Sequence, residues 1–205
     1  MDWTRGASWY DEHADAFEMA TLDLPPPPLL SEFISLLQPG ARILDAGCGV
    51  GRDSRVLLDK GFYVSAFDGS AAMVGATLAN TLGRAQPRIL SFQDYADAPG
   101  SWDGIWALAS LIHLPRKDVP GVIGRLLNSL TPHGIFCGAV KHGTGDGIDP
   151  QGRPTTYFDV EEISRMVFGA MPAGGTVDIH TTSARGSSGN AHRWINITAR
   201  LGHLP

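Results

Sequence analysis

The stretch Ile43-Leu44-Asp45-Ala46-Gly47-Cys48-Gly49-Val50-Gly51-Arg52 decides the fold class. An apolar run of strand length leads directly into a G-x-G-x-G loop, and a helix is expected to begin at about Arg52. In open α/β sheets, ligands bind in the crevice beyond the carboxyl ends of the strands, where loops of this kind lie. Glycine has no Cβ, so it lets the backbone come close to a ligand. The stretch therefore predicts a ligand-binding α/β domain.

Candidate strands and helices alternate along the rest of the chain. Strands are expected at residues 42–46, 63–67, 88–91, 104–109, 135–140, 176–182 and 193–199. Helices are expected at about residues 10–20, 29–37, 52–60, 70–80, 118–130 and from 159 onward. Such alternation implies a mostly parallel sheet with helices on both faces. The last two strands have no helix between them, so they are expected to form an antiparallel pair.

These elements predict one domain over residues 1–205. Its centre is expected to be a doubly wound, Rossmann-like sheet of seven strands, mostly parallel, with an antiparallel C-terminal strand. Residues 1–28 are expected to form an N-terminal cover segment ending in a stiff Pro-rich spacer at residues 25–28. Residues 29–205 are expected to form the core.

Composition and charge narrow the range of partners. The 205 residues include 16 Lys and Arg against 21 Asp and Glu, which gives a formal net charge of -5, and no basic run occurs. A surface for nucleic acid or anionic membrane is therefore not expected. We see no secretory signal and no apolar segment of membrane-spanning length, so a cytoplasmic protein with a small-molecule partner is expected. Cys48 and Cys137 form no C-x-x-C pair, so neither a disulfide framework nor a metal site is expected.

Asp68 indicates what the glycine loop binds. It follows the second expected strand, where a carboxylate can accept hydrogen bonds from both hydroxyls of a ribose. A nicotinamide dinucleotide would call for G-x-G-x-x-G, but Arg52 occupies the third glycine position and Asp45 is poorly suited to a neighbouring pyrophosphate. The sequence therefore predicts a nucleoside pocket and disfavours a dinucleotide.

Several segments resemble those of the class I S-adenosylmethionine-dependent methyltransferases. ILDAGCGVG at residues 43–51 and AFDGS at residues 66–70 resemble motif I and the acidic position that follows it. WDGIWALASLIHLPR at residues 102–116 resembles the fourth-strand motif, and LLNSLTPHGIF at residues 126–136 resembles the L-x-P-G-G turn, with His133 where the family usually has Gly. The similarity covers about residues 8–200.

Within that class, three further segments resemble the branch often labelled tellurite-resistance-like. They are WYDEHADAF at residues 9–17, GCGVGRDS at residues 47–54 and HRWINI at residues 192–197. Many members of this branch have no assigned substrate. The resemblance therefore implies a methyltransferase and leaves its acceptor open.

The resemblance also implies a cofactor site, in which S-adenosylmethionine is converted to S-adenosylhomocysteine. Asp45 and the backbone at Gly47 would hold the methionine ammonium, Asp68 the ribose and Asp94 the adenine amino group. Arg52 would pair with the methionine carboxylate or a substrate anion, or would be a solvated helix cation, and Asp94 has a similar solvated alternative. The complete expected set is Asp45, Gly47, Cys48, Gly49, Arg52, Asp68, Gly69, Ser70, Asp94 and Ala109. Cys48 is expected to fill space and not to act as a nucleophile.

Methyl transfer from a sulfonium is an in-line displacement, in which the protein excludes water and aligns the nucleophile. His113, just beyond the fourth expected strand, and Tyr10 are the candidate catalytic residues, because an imidazole can accept a proton near neutral pH. Alternatively, His113 orders its loop through a backbone hydrogen bond, and Tyr10 packs against the core. The residues expected to contact the substrate are Tyr10, His13, His113, Lys141 and Arg193.

Two Gly-rich connections are candidate walls of the site. Residues 141–147 follow the fifth expected strand and continue to Arg153-Pro154, and they are expected to form either a mobile lid or a plain flexible loop. Residues 183–190 precede His192, Arg193 and Trp194, which offer cations and an aromatic face. Both connections would lie at the substrate end of the site.

Three functions remain open at this stage. The favoured one is methyl transfer from S-adenosylmethionine to a sulfur, oxygen, nitrogen or metalloid atom of a small molecule, by a monomer or homodimer. The second is a non-catalytic S-adenosylmethionine-binding module, because this chemistry has no obligatory catalytic residue. The third is an NAD(P)-dependent oxidoreductase, which Arg52 disfavours.

Overall fold

The computed structural model describes residues 2–3, 5–185 and 191–202. A seven-stranded sheet forms the centre of the molecule. Its strands are β1 (Arg42–Ala46), β2 (Tyr63–Asp68), β3 (Gln86–Ile89), β4 (Trp102–Leu108), β5 (Leu130–Lys141), β8 (Thr176–Arg185) and β9 (Ala191–Arg200), and a separate hairpin comprises β6 (Asp146–Ile148) and β7 (Pro154–Thr156).

The strand order of the sheet is β3-β2-β1-β4-β5-β9-β8. The pairs among β1 to β5 are parallel, whereas β9 runs antiparallel to both β5 and β8. The order reverses between β1 and β4, which creates the crevice where ligands bind in open α/β sheets. The expected α/β fold with one antiparallel strand is therefore confirmed.

Helices cover both faces of this sheet. They are α1 (Arg5–Glu12), α2 (Ala14–Thr21), α3 (Pro28–Ser35), α4 (Arg52–Asp59), α5 (Ala71–Asn80), α6 (Val119–Asn128) and α7 (Val160–Ala170). The apolar faces of α6 and α7 pack against one side of the sheet, and those of α3 and α4 pack against the other. Alternate residues of β1 serve the two cores, since Ile43 joins one and Leu44 the other, as the two-residue period of a strand requires.

Several boundaries differ from the expectation. Residues 10–20 belong to two helices, because the chain leaves helical geometry at His13, where φ is -121° and ψ is 20°. β3 lies two residues earlier than expected and contains Pro87, which is tolerated because β3 is an edge strand. β5 begins at Leu130, so the sequence Pro132-His133-Gly134 lies inside a strand and does not precede it.

The segment expected to be a lid or loop forms most of the hairpin of β6 and β7. Its turn follows the sequence Asp149-Pro150-Gln151-Gly152-Arg153, a five-residue connection containing Gly that is typical of a hairpin loop. Of the connection expected at residues 183–190, residues 186–190 lie outside the described part. Among the described residues, the structure has no helix with both the length and the apolar character that a membrane crossing requires.

Candidate functional site

A cleft of about 1040 Å³ lies at the carboxyl ends of β1, β2, β4 and β5. Asp45 and the glycine loop form one wall, and Asp68 with Gly69 continues it. Residues from α1, including Gly6 and Tyr10, cover the cleft. The carboxyl edge of the sheet and the first helix therefore line this cleft together.

The glycine loop uses its own N–H groups internally. The N–H groups of Gly47 and Cys48 donate to the carbonyl of Phe67 at 2.9 and 3.0 Å, and that of Gly51 donates to the carbonyl of Cys48 at 3.0 Å. The N–H of Gly49 donates to a carboxylate oxygen of Asp68 at 3.0 Å. A phosphate-binding loop needs such N–H groups free to face the anion. This loop is therefore poorly prepared to bind a pyrophosphate.

Gly47 is required by close packing as well as by backbone geometry. Its φ is +80°, in the left-handed region, and a Cβ there would overlap the Cβ of Ser110. Ser110 is itself held in place, because its hydroxyl donates to the carbonyl of Ala46 at 2.8 Å. The loop and the end of β4 thus approach each other through a gap that only glycine fits.

Asp68 lies at the end of β2 with its carboxylate fixed by the backbone. One oxygen accepts from Gly49 N at 3.0 Å and the other from Ser70 N at 2.9 Å. Burial raises the pKa of Asp68, although these backbone hydrogen bonds oppose the rise. Each carboxylate oxygen keeps a further lone pair, so the group can accept two more hydrogen bonds from a ligand.

Asp45 is 3% exposed and lines the same cleft. Its carboxylate accepts from the hydroxyl of Ser54 at 2.6 Å. Burial raises the pKa of Asp45 to about 7, and the neighbouring Asp53 carboxylate adds to the rise. A cationic ligand would stabilise the charged form, so this end of the cleft suits a positive group.

Arg52 is already engaged by its neighbour in the chain. Its Nε and Nη2 donate to the two carboxylate oxygens of Asp53 at 2.7 and 3.1 Å. Asp53 also accepts from the indole Nε1 of Trp106 at 2.9 Å. Arg52 lines the cleft, but the Asp53 carboxylate balances its charge. Arg52 is therefore not free for the expected pairing with a ligand carboxylate.

Tyr10 and His113 form part of a hydrogen-bond chain across the roof of the cleft. The Nδ1–H of His113 donates to the carbonyl of Pro154 at 2.8 Å, which leaves Nε2 as an acceptor. Tyr10 lies 3.0 Å from Nε2 and donates its hydroxyl proton there, while Arg153 Nη1 donates to the Tyr10 oxygen at 3.0 Å. Burial lowers the pKa of His113 to about 4 and raises that of Tyr10 to about 12, so both groups are neutral near pH 7.

Lys141 and Arg153 share one carboxylate at the far end of the cleft. Arg153 Nη2 lies 2.7 Å from a carboxylate oxygen of Asp149, and Lys141 Nζ lies 3.4 Å from the same atom. The Arg153 guanidinium also stands over the ring of Trp9 at 5.1 Å. The two cations both line the cleft, so this wall carries more positive than negative charge.

The structure brings most of the expected site residues to this cleft. Those lining it are Tyr10, Asp45, Gly47, Cys48, Gly49, Arg52, Asp68, Gly69, Ala109, His113 and Lys141. Cys48 fits the expected space-filling role, because it is buried and burial raises the pKa of its thiol well above the usual value.

Two expected cofactor residues lie elsewhere. Ser70 is fully buried at the N-terminus of α5, where its hydroxyl accepts from Met73 N at 3.1 Å and donates to Asp11, so it caps the helix. Asp94 is exposed and accepts from the hydroxyl of Ser91 at 2.7 Å, while the preceding residues Phe92 and Gln93 line the cleft.

Two expected substrate residues also point away from it. His13 is exposed, stacks on the ring of Trp9 at 4.3 Å and hydrogen-bonds the Trp9 carbonyl. Arg193 is exposed on β9, whereas its strand neighbours His192 and Trp194 line the cleft. Successive side chains of a strand alternate between its faces, so His192 and Trp194 share a face that excludes Arg193.

Sequence reasoning missed several residues of the cleft. They are Asp53, Trp106, Ser110 and Asp149, of which Asp149 supports the site from behind and the others line it. The turn sequence of the β6–β7 hairpin was the available signal for Asp149, because a hairpin there brings its loop back over the sheet. The others depend on packing between distant segments.

Comparison with known proteins gives a family match over part of the chain. Residues 43–134 match the family model described as a methyltransferase domain. The chain is 28% identical over 134 residues to the ubiquinone biosynthesis O-methyltransferase of Xylella fastidiosa, covering 62% of this chain and 52% of that protein. It is 34% identical over 142 residues to the magnesium-protoporphyrin O-methyltransferase of Synechocystis, covering 64% and 62%. The chain thus spans less than two thirds of either relative.

Solved structures share the whole fold. The 1,6-didemethyltoxoflavin-N1-methyltransferase of Burkholderia thailandensis, crystallised with S-adenosylhomocysteine, matches with a TM-score of 0.75 at 20% identity and covers 98% of this chain and 87% of that one. The [4+2]-cyclase SpnF matches with a TM-score of 0.75 at 16% identity and covers 100% and 98%. The fold is thus the one seen in such methyltransferases.

Proposed function

We propose that the chain binds S-adenosylmethionine in the cleft and transfers its methyl group to a small molecule. The observation that carries this proposal is the chemistry of the glycine loop. The N–H groups of Gly47, Cys48, Gly49 and Gly51 are used within the protein. Two carboxylates, the buried Asp45 and the half-buried Asp68, line the cleft beside them. A binding site that offers carboxylate acceptors and few free N–H donors suits a cationic, hydroxyl-rich nucleoside. The same site repels a pyrophosphate.

We assign the parts of the cofactor to residues by their chemistry. Asp68 accepts the two ribose hydroxyls with its remaining lone pairs, and Asp45 with the backbone at Gly47 faces the methionine ammonium. Phe92 and Gln93 line the cleft after β3 and contact the adenine, with Phe92 offering an apolar ring. Asp94 is left out of this assignment because its carboxylate is exposed and bonded to Ser91.

The cover segment also fits this proposal. Asp11 of α1 accepts hydrogen bonds from the hydroxyl of Ser70 and from Ala72 N, which holds α1 against the N-terminus of α5. Through this contact Tyr10 and Gly6 close over the cleft. We propose that residues 1–205 form a single domain, in which residues 1–28 act as a cover on the core of residues 29–205.

The cover shapes how the chemistry is carried out. When bound, S-adenosylmethionine would supply a methyl group carried on a sulfonium sulfur, and S-adenosylhomocysteine would be the product. His113 is neutral and its Nε2 is occupied by the Tyr10 hydroxyl, so we assign it the role of positioning Tyr10. Tyr10 itself contacts the acceptor and helps to exclude water. The expected role of His113 as a direct base is therefore not part of this proposal.

Cofactor binding is expected to depend on pH through Asp45. Its pKa of about 7 in the free protein means that it holds a proton at lower pH, and a bound ammonium favours the charged form. Affinity for S-adenosylhomocysteine should therefore rise about tenfold from about pH 5.5 to 7.5 and then level off. Isothermal titration calorimetry at several pH values measures this rise.

The same raised pKa of Asp45 lowers the stability of the ligand-free protein as the pH rises from 3.8, the ordinary pKa of an aspartate, to about 7.

The control for this prediction is Asp45→Asn. An amide at this position cannot titrate, so the variant should bind with a nearly flat pH profile. A flat profile for the wild-type protein would mean that Asp45 does not face a positive group of the ligand.

The activity itself is tested by measuring the release of S-adenosylhomocysteine in the presence of candidate acceptors. The panel contains thiols, phenols, amines and metalloid oxyanions, the last of which tests the tellurite-resistance-like branch. Turnover with any class supports the proposal and identifies the acceptor atom. Tight binding of the cofactor without turnover across the panel would favour a non-catalytic binding module, and the shared fold with a [4+2]-cyclase shows that the fold alone does not imply methyl transfer.

A further inference from the structure

The far wall of the cleft holds two cations against one carboxylate. The side chains of Lys141 and Arg153 are 7% and 9% exposed, and that of Asp149 is fully buried. Arg153 makes more contacts with the Asp149 carboxylate than Lys141 does. Its Nε and Nη2 lie 2.9 and 2.7 Å from one carboxylate oxygen, and its backbone N–H donates to the other. Among the side-chain hydrogen bonds of the described residues, the Lys141 ammonium has only the long contact of 3.4 Å with Asp149.

Among the described residues, the neighbours of these cations do not supply a second negative charge. Tyr10 and His113 are neutral near pH 7, as shown above, and burial raises the pKa of Tyr157, whose ring lies 5.8 Å from Lys141 Nζ. Burial and the charge of Lys141 lower the pKa of His192 on β9, so it is neutral as well. Asp149 is the carboxylate whose charge acts on both Lys141 and Arg153.

A buried cation with no partner is costly, and an oxyanion within reach offsets that cost. Burial lowers the pKa of Lys141, which is the direction expected for an ammonium that is incompletely paired. Lys141 is the last residue of β5 and lines the cleft together with Arg153 and Tyr10. The excess charge therefore faces the space that a ligand would enter.

We propose that this wall binds an anionic oxygen group of the methyl acceptor, so that the acceptor is a small acid such as a carboxylate. Lys141 supplies the charge, and Arg153 with the Tyr10 hydroxyl completes the polar wall. The proposal rests on the proposed function. It gives the cleft two ends of opposite charge, because the carboxylates of Asp45 and Asp68 line the end assigned to the cofactor.

The cofactor also has a carboxylate, so the experiment must separate the two anions. Calorimetry is carried out on the complex with S-adenosylhomocysteine, which occupies the cofactor end. The probes are two matched pairs, 4-hydroxybenzoate against 4-hydroxybenzamide and mercaptoacetate against 2-mercaptoacetamide. Within each pair the nucleophile is the same and only the charge differs. For at least one pair the acid should bind about tenfold more tightly than the amide, as a charge-assisted hydrogen bond implies.

The test variant is Lys141→Met, which leaves Asp149 and Arg153 as a balanced pair and so creates no unpaired buried charge. It should reduce the preference for the acid to within about twofold and leave the affinity for S-adenosylhomocysteine within about twofold. Lys141→Arg keeps the charge and should retain most of the preference. Lys117→Met, at an exposed lysine outside the cleft, is the matched control and should change neither quantity.

The possible failures are distinct. If the wild-type protein does not bind S-adenosylhomocysteine, the proposed function fails. If it binds the cofactor but prefers no acid over its amide, the inference about the acceptor is wrong. If Lys141→Met weakens the binding of S-adenosylhomocysteine as strongly as the binding of the acids, Lys141 holds the cofactor carboxylate and the inference is also wrong. The wild-type comparison of acid with amide gives a result even if a variant does not fold.

Discussion

Asp68→Ala is expected to weaken the binding of S-adenosylhomocysteine by about 100-fold. The substitution removes two hydrogen bonds that the ribose hydroxyls would donate to the charged carboxylate, each contributing roughly 1.5 kcal/mol or more. It also leaves the N–H groups of Gly49 and Ser70 without the acceptor that fixes the glycine loop. Asp68→Asn keeps the shape and one acceptor oxygen, so its affinity should lie between those of the wild type and the alanine variant. Isothermal titration calorimetry gives all three values at pH 7.5, where Asp45 is mostly ionised in the wild-type protein.

The matched control is Asp94→Ala. Asp94 also follows a strand of the sheet, and the family resemblance implies a cofactor contact for it, but the structure places its carboxylate on the surface beside Ser91. Its replacement should change the affinity by less than about twofold. A large loss with Asp94→Ala, or an almost unchanged affinity with Asp68→Ala, would contradict the assignment of these two carboxylates.

Gly47→Ala is expected to lower the free energy of unfolding by about 3 kcal/mol. A non-glycine residue in the left-handed region costs roughly 1–2 kcal/mol, and forcing an extra methyl group into a packed site costs roughly 1–3 kcal/mol. At Gly47 both apply, because φ is +80° and the new Cβ would overlap Ser110. The change would also displace the loop against β4, so cofactor binding should be lost. Urea denaturation measures the stability, and calorimetry measures the binding.

Gly61→Ala separates the two causes. Its φ is +86°, close to that of Gly47, but a Cβ there would have no neighbour within 4 Å. This variant should lose only about 1 kcal/mol of stability and keep its affinity for the cofactor. Equal destabilisation by the two substitutions would show that the close approach between the loop and Ser110 adds nothing.

The strands of the sheet and the glycine loop could be predicted from the sequence because they rest on local patterns. The buried strands are apolar runs of typical length, and the run from Leu44 to Arg52 changes from strand to loop to helix within a few residues. β3 was displaced and the β6–β7 hairpin was not foreseen, since short polar strands at an edge carry little hydrophobic signal.

The site could be predicted only in part, for a different physical reason. Asp45 and Asp68 reach the cleft because they follow or end parallel strands, whose carboxyl ends meet at one edge. Ser70 was expected at the cofactor site, but a position that follows a strand can also cap the next helix, and its hydroxyl caps α5 in the structure. Arg153 reaches the cleft through a hairpin, and nothing in its local sequence specifies that its partners are Asp149 and Tyr10.

The central claim is that the cleft is built for a cationic nucleoside and not for a dinucleotide. Calorimetry of the full chain with S-adenosylmethionine, S-adenosylhomocysteine, NADH and NADPH tests it most directly. The structure predicts saturable binding of the first two and no measurable heat of binding for NADH and NADPH. Binding of either dinucleotide with no binding of S-adenosylmethionine or S-adenosylhomocysteine would contradict the account.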